Sequence, residues 1–291
     1  MFQGSFVALV TPMKEDASLD WEALERFVEW HIEKGSNGLV PVGTTGESAT
    51  LSMSEHAEVI KRVVDQVDGR VPVIAGTGAN STSEALELTL AAQDAKADGA
   101  LLVTPYYNRP TQEGLYLHYK HIAERTNIPL VLYNVPSRTA CDLLPETVGR
   151  LAELPSVAGI KEATGDIQRM LEIKALVDDS FSLLSGDDAS SGEFLESGGH
   201  GVISVTANIA PAQMAKLCEL ISEGRVEDAR ALNSVLMSLH TGLFVEPNPI
   251  PVKWAAAKMG FGTDVLRLPM TSLLEKYHAD LEQAMIENGL I

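Results

Sequence analysis

Eight short apolar, β-branched runs alternate with helix-period segments at regular spacing, and together they predict an α/β protein. Roughly the first 200 residues then form a TIM (β/α)8 barrel. The runs centre near Val7, Val40, Val73, Leu102, Val131, Gly159, Leu183 and Val202. Their average spacing of about 28 residues leaves room for a strand, a helix and two loops. They are nearly continuous in apolar character rather than alternating, as strands covered on both faces are. A doubly wound open sheet is the competing arrangement, but it carries fewer strands and a nucleotide loop after the first. The stretch Gly76-Thr77-Gly78-Ala79-Asn80-Ser81 follows the third strand and lacks the third glycine of such a loop.

The intervening helices carry their own signals. Leu24, Phe27, Val28 and Ile32 make one apolar stripe on the first helix, with Glu22, Glu25, Glu29 and Glu33 facing elsewhere. Gly35 sits where a C-terminal glycine belongs. Ser52 with Glu55 reads as a capping box for a helix reaching Asp68 and closed by Gly69; Ser81 with Glu84 reads the same way for the helix running toward Lys96. After Pro211 the pattern is purely helical, over 214–222, 226–243, 252–259 and 272–288. A barrel needs one closing helix, so the remainder predicts a small C-terminal helical appendage. The expected division is a barrel over 1–224 and a helical region over 225–291.

Composition narrows the function classes. The 291 residues include 40 acidic and 22 basic side chains, a formal charge of −18, which argues against nucleic acid or an anionic membrane surface as partner. The segment 101–161 departs from that balance, with five acidic and six basic side chains. No run of about 18 apolar residues suggests a membrane span, and the N-terminus lacks the basic and apolar regions of a signal peptide. Two isolated cysteines, Cys141 and Cys218, read as unpaired thiols of a cytoplasmic protein. His118 and His121 share a helix face but have no carboxylate beside them, so no metal is expected.

Chemistry in a barrel belongs at the C-terminal ends of the strands. Those positions read Gly43-Thr44-Thr45-Gly46-Glu47-Ser48, Thr104-Pro105-Tyr106-Tyr107-Asn108, Tyr133-Asn134-Val135-Pro136-Ser137-Arg138, Gly159-Ile160-Lys161-Glu162, Ser185-Gly186-Asp187-Asp188 and Ser204-Val205-Thr206. Lys161 ends an apolar run, and desolvation there disfavours the ammonium and frees an amine to attack a carbonyl. A salt bridge to Glu162 or Asp188 is the plainer reading of that lysine. Tyr133 offers a phenol for proton relay, Arg138 a fork for a carboxylate, and Thr44 and Thr45 hydroxyls and N–H groups for a second one. Together they suit Schiff-base chemistry on a 2-oxo acid, which needs no cofactor.

Two long motifs, Gly38-Leu39-Val40-Pro41-Val42-Gly43-Thr44-Thr45-Gly46-Glu47-Ser48 and Tyr133-Asn134-Val135-Pro136-Ser137-Arg138-Thr139 followed by Gly159-Ile160-Lys161-Glu162-Ala163, resemble the 4-hydroxy-tetrahydrodipicolinate synthases over essentially the whole chain. The wider superfamily of pyruvate aldolases includes N-acetylneuraminate lyase; Arg138 and Thr104-Pro105-Tyr106-Tyr107-Asn108 favour the synthases. The resemblance implies condensation of pyruvate with L-aspartate 4-semialdehyde on the route to diaminopimelate and lysine. It implies Lys161 as Schiff-base nucleophile, Tyr133 as proton donor and acceptor, and Thr44 as a link from Tyr133 to a Tyr107 that reaches in from a neighbouring subunit. It further implies Thr45, Gly186 and Ile203 on the pyruvate side, Arg138 on the semialdehyde carboxylate, and a homotetramer built as a dimer of dimers. Feedback inhibition by L-lysine would use Ser48, Ala49, His56, Asn80, Glu84 and Tyr106. Met53 stands where related members often place a histidine. Another pyruvate aldolase acting on a sugar acid, and a non-catalytic barrel, are the alternatives.

Overall fold

The computed structural model describes residues 1–291. Eight strands follow one another as β1 (Gly4–Ala8), β2 (Gly38–Val40), β3 (Ile74–Gly76), β4 (Gly99–Val103), β5 (Leu130–Asn134), β6 (Val157–Glu162), β7 (Ser182–Ser185) and β8 (Gly201–Ser204). All pair in parallel in the order β2-β1-β8-β7-β6-β5-β4-β3. A parallel bridge between Leu39 and Val73 joins the two ends, supported by Leu39 N donating to Pro72 O and Gly76 N to Pro41 O, both at 3.0 Å. The ring is a TIM barrel, as the eight apolar runs require.

The helices around it are α1 (Trp21–Glu33), α2 (Met53–Val67), α3 (Thr82–Asp94), α4 (Gln112–Ala123), the one-turn α5 (Pro136–Thr139), α6 (Pro145–Ala152), α7 (Ile167–Lys174), α8 (Ser191–Glu196) and α9 (Pro211–Ser222). Then come α10 (Val226–Gly242), α11 (Ile250–Lys258) and α12 (His278–Glu287). Strand side chains alternate between two cores, as the two-residue period demands. Val7, Leu39, Leu102, Leu130 and Leu132 face the helices in a large outer core. Phe6, Ala8, Val40, Ile74, Leu101, Val131, Tyr133, Leu184 and Ile203 fill the barrel interior. Gly38 is small because a Cβ there would come within 2.2 Å of the Phe6 ring. The outer core continues from the barrel helices into Leu236, Leu239, Trp254 and Met285 of the last three helices, across the 224/225 boundary.

Several local expectations are refined. The buried positions of α1 are Ala23, Leu24, Phe27, Val28 and His31, whereas Ile32 is only half-buried. Position 31 completes the i, i+3, i+4, i+7 stripe better than position 32 does. His31 enters with its Nδ1 at 3.2 Å from Ser36 Oγ, and burial lowers its pKa to about 3, so the ring is neutral. Ser52 and Glu55 make the full capping box of α2. Ser81 caps α3, but the reciprocal arm from Glu84 is missing, because Glu84 turns toward a cavity instead. The last helix starts at His278 rather than near 272. Leu273 is buried and Leu274 N bonds to Glu246 Oε2 at 3.3 Å, which holds that stretch out of the helix.

Arg267, between α11 and α12, clamps this region onto the barrel. Its guanidinium makes two bonds to Glu55, at 2.6 and 2.7 Å, and further bonds to Ala17 O and Thr50 O. The Arg267 guanidinium lowers the Glu55 pKa from 4.5 to about 2. A carboxyl lowered on folding stabilises fully above its unfolded value and loses that contribution as pH falls toward the folded one. Arg267→Met is therefore expected to lower the urea midpoint at pH 6, with the gap from the parent narrowing by pH 3. A gap that stays constant between those pH values contradicts the pairing.

Candidate active site

The pairing of β5 with β6 places Tyr133 opposite Lys161 and Asn134 opposite Glu162. Because successive residues point to opposite faces, Tyr133 and Lys161 turn inward while Asn134 and Glu162 turn outward. Lys161 is 6% exposed, and its Nζ lies 4.4 Å from the centroid of the Tyr133 ring, a cation–π contact. Both acids that the sequence offered as partners are engaged elsewhere. Glu162 accepts from Asn134 Nδ2 at 3.1 Å and from Thr164 N at 2.8 Å, and burial pushes its carboxyl pKa up. Asp188 accepts from the backbone N–H groups of Val205 and Thr206 at 2.9 and 2.8 Å. The salt-bridge reading of Lys161 is thus set aside: the buried lysine stands without an ion-pair partner.

Space for that amine comes from Gly186. A Cβ at that position would lie 2.7 Å from Lys161 Cε, so the lysine stem passes only over a glycine. Above it opens a cavity of about 450 Å³ whose wall brings together Thr44, Thr45, Tyr133, Arg138, Lys161 and Gly186. The one acid on this wall, Asp187, is occupied by Ser190 N and Oγ at 3.0 and 2.7 Å. The remaining charge, Lys161 and Arg138, is positive and suits anionic ligands. Thr45 is buried, and its Oγ1 accepts from Asn248 Nδ2 at 3.0 Å; the Arg138 guanidinium, carried on α5, bonds Asn248 O at 3.0 Å.

Two expected residues stand apart. Ile203 lies beneath the cavity in the barrel interior, in the same cluster as Tyr133 and Leu184, and is not on the cavity wall. Tyr107 is 89% exposed and is not on the wall of its own chain's cavity. Its φ of 74° is a left-handed backbone that a tyrosine adopts at a cost on the order of 1 kcal/mol, and its N–H bonds Thr139 O at 3.3 Å. No hydrogen bond joins Thr44 to Tyr133, although both line the cavity.

A second cavity, of about 370 Å³, shares Thr44, Tyr133, Arg138 and Asn248 with the first. Ser48, Ala49, His56, Glu84 and Tyr106 line it, as does Met53. Asn80 is not on its wall; its carbonyl accepts from Asn108 Nδ2 at 2.8 Å. His56 Nε2 sits 3.2 Å from Ser48 Oγ, and burial lowers its pKa to about 4. The Tyr106 phenol is raised by burial and then by the Glu84 charge. No group of three or more His, Cys, Asp or Glu side chains is gathered as metal ligands. No helix is long and apolar enough to cross a membrane.

The sequence model of the dihydrodipicolinate synthetase family matches residues 1–288. This chain belongs to that family. A 4-hydroxy-tetrahydrodipicolinate synthase of Teredinibacter turnerae is 62% identical over 291 residues, covering all of both chains. Among solved structures, the chloride-inhibited dihydrodipicolinate synthase of Acinetobacter baumannii, complexed with pyruvate, superposes with a TM-score of 0.98 at 53% identity over all of both chains. The Cyanidioschyzon merolae enzyme with lysine bound gives 0.97 at 38% identity, covering 100% of this chain and 99% of that one.

Within this dihydrodipicolinate synthetase family member, the C-terminal region contributes site residues that strand-end reading passes over. Phe244, Pro247 and Asn248 all line the cavity above Lys161. Lys253 of α11 is buried in an ion pair with Glu47, which follows the threonine pair and lies in left-handed backbone at φ 58°. The available signal was the run Pro247-Asn248-Pro249-Ile250-Pro251, where three prolines interrupt a helical pattern and leave one polar side chain between them.

Proposed function

We infer that this protein is a lyase that joins pyruvate to L-aspartate 4-semialdehyde through a Schiff base on Lys161, giving 4-hydroxy-tetrahydrodipicolinate, the first committed step toward diaminopimelate and lysine. The observation that carries the reading is the buried, unpaired Lys161 side chain beside Tyr133, on the wall of a cavity that also holds Thr45 and Arg138. The synthase names of the relatives support the substrates.

The Lys161 amine adds to the ketone carbon of pyruvate, and the oxygen leaves as water to give the iminium. The iminium draws electrons from the methyl group, which releases a proton and becomes an enamine carbon. That carbon bonds to the aldehyde carbon of the semialdehyde, whose oxygen takes up a proton. The semialdehyde amine then attacks the iminium carbon, closing the ring and freeing Lys161. Tyr133 carries the protons, relayed through Thr44 and Tyr107, the latter supplied by a second subunit. Thr45 and Gly186 hold the pyruvate end over Ile203, and Arg138 holds the carboxylate of the semialdehyde.

Borohydride reduction with pyruvate tests this directly: one N-carboxyethyl group is expected on Lys161, with product formed only when both substrates are present. Turnover of N-acetylneuraminate but not of the semialdehyde overturns the substrate assignment. Arg138→Ala is expected to lower kcat/KM for the semialdehyde by about 30- to 150-fold, the loss of one charge-assisted carboxylate contact of roughly 2–3 kcal/mol. Adduct formation with pyruvate changes little; equal loss of both contradicts the role.

The second cavity is proposed as the L-lysine site, with Glu84 pairing the ligand's ammonium, Ser48, Ala49, His56 and Tyr106 on its wall, and Asn80 off the wall with its carbonyl held by Asn108. The exposed Tyr107 supports a homotetramer in which that side chain completes a neighbour's site, and we place the enzyme in the cytoplasm. Light scattering with and without lysine measures the assembly, and a monomer active at all dilutions removes the cross-subunit role of Tyr107.

A further inference from the structure

We propose that Asn248 is a positioning residue that directs the Thr45 hydroxyl proton toward the pyruvate carboxylate while holding Arg138 through its own main chain. The inference rests on the Schiff-base reading above. Asn248 lies between α10 and α11, is 4% exposed, and lines both cavities. It is the only residue bonded to both Thr45 and Arg138, the groups assigned to the two substrates.

The direction of the contact matters. A threonine hydroxyl has one proton to give and two lone pairs to receive. Asn248 Nδ2 donates to Thr45 Oγ1 at 3.0 Å, and Thr45 Oγ1 makes no other hydrogen bond in the chain. With its acceptor side occupied by an N–H, the hydroxyl keeps its proton free for a ligand acceptor in the cavity. A carboxylate oxygen is such an acceptor. An oxygen in place of Nδ2 reverses this, since it must take the Thr45 proton and leave only lone pairs facing the ligand. The bond to Arg138 NH2 is made by the Asn248 carbonyl oxygen of the main chain, at 3.0 Å. Side-chain substitution at 248 therefore leaves the Arg138 anchor in place, so the two halves of the proposal separate by experiment.

Asn248→Asp, nearly isosteric, is expected to raise the pyruvate KM at least about tenfold. Asn248→Ala, which removes the donor without adding an acceptor, raises it less. The semialdehyde KM stays within about twofold in both. Reductive trapping at saturating pyruvate still labels Lys161, so failure of the Schiff-base reading, with no label even in the parent, is distinguishable from failure of this one. Added charge near an anionic substrate is separated by a double-mutant cycle: with Thr45→Val already in place, Asn248→Asp has little further effect on the pyruvate KM if it acts through the Thr45 proton. The proposal is overturned if Ala is worse than Asp, if the two substitutions are additive, or if kcat alone changes. Should the Asp variant fail to fold, Asn248→Ala with Thr45→Val gives the same cycle, and additivity there overturns it equally.

Discussion

Lys161→Ala is expected to lower kcat by about 10³-fold or more, roughly 4 kcal/mol of barrier, and to abolish reductive trapping by pyruvate. Thermal stability is expected to change little. The Lys161 side chain makes no ion pair, its one marked interaction being the Tyr133 ring at 4.4 Å, so its removal breaks no polar network. Lys161→Arg keeps the charge and much of the volume but offers no amine that can shed its proton, and it should be as inactive as alanine. Steady-state rates, intact-mass analysis after borohydride and a melting curve for each variant provide the measurement. Trapping of pyruvate on a different lysine, at parental rate, would sink the assignment.

Lys253→Met is expected to destabilise the fold by about 3–5 kcal/mol, the cost of breaking a buried ion pair from one side. For a chain of this size the melting temperature falls by roughly 6 to 20 °C. The Lys253 and Glu47 side chains are 1% and 2% exposed. Burial lowers the Lys253 pKa, and the Glu47 charge opposes that shift. Once the ammonium is gone, the Glu47 carboxylate keeps only the Arg267 backbone N–H, at 3.0 Å, inside the protein. Glu47→Gln with Lys253→Met removes both charges and is expected to recover most of the loss, as paired replacement of buried ions does. A single variant that melts within about 2 °C of the parent, or a double variant that melts below the single, contradicts the account.

Much of this was legible in the sequence because the barrel repeats a short-range rule. Strands buried on both faces are written as unbroken apolar runs, and all eight were placed that way. Catalytic candidates could be found by reading strand ends alone, since β5 and β6 pair Tyr133 with Lys161. Glu84 shows where local reading ends: its position satisfies a capping box, and its side chain instead faces a cavity assembled from five other segments. Asn248 and Lys253 are further from reach. Their partners, Thr45 and Glu47, lie 203 and 206 residues away, and no periodicity carries information over that distance. Tyr107 is limited differently, because 89% exposure in one chain says which side it leaves and not what it meets.

Those two long contacts also bear on how the molecule is made. During synthesis the segment bearing Thr44, Thr45 and Glu47 leaves the ribosome some 200 residues before Asn248 and Lys253 do. The last strand of the ring ends at Ser204, so until the later segment is made the Glu47 carboxylate lacks its counter-ion and the Thr45 hydroxyl its Asn248 donor. The pocket is therefore complete only once the segment carrying Asn248 and Lys253 has docked onto strand ends made some 200 residues earlier.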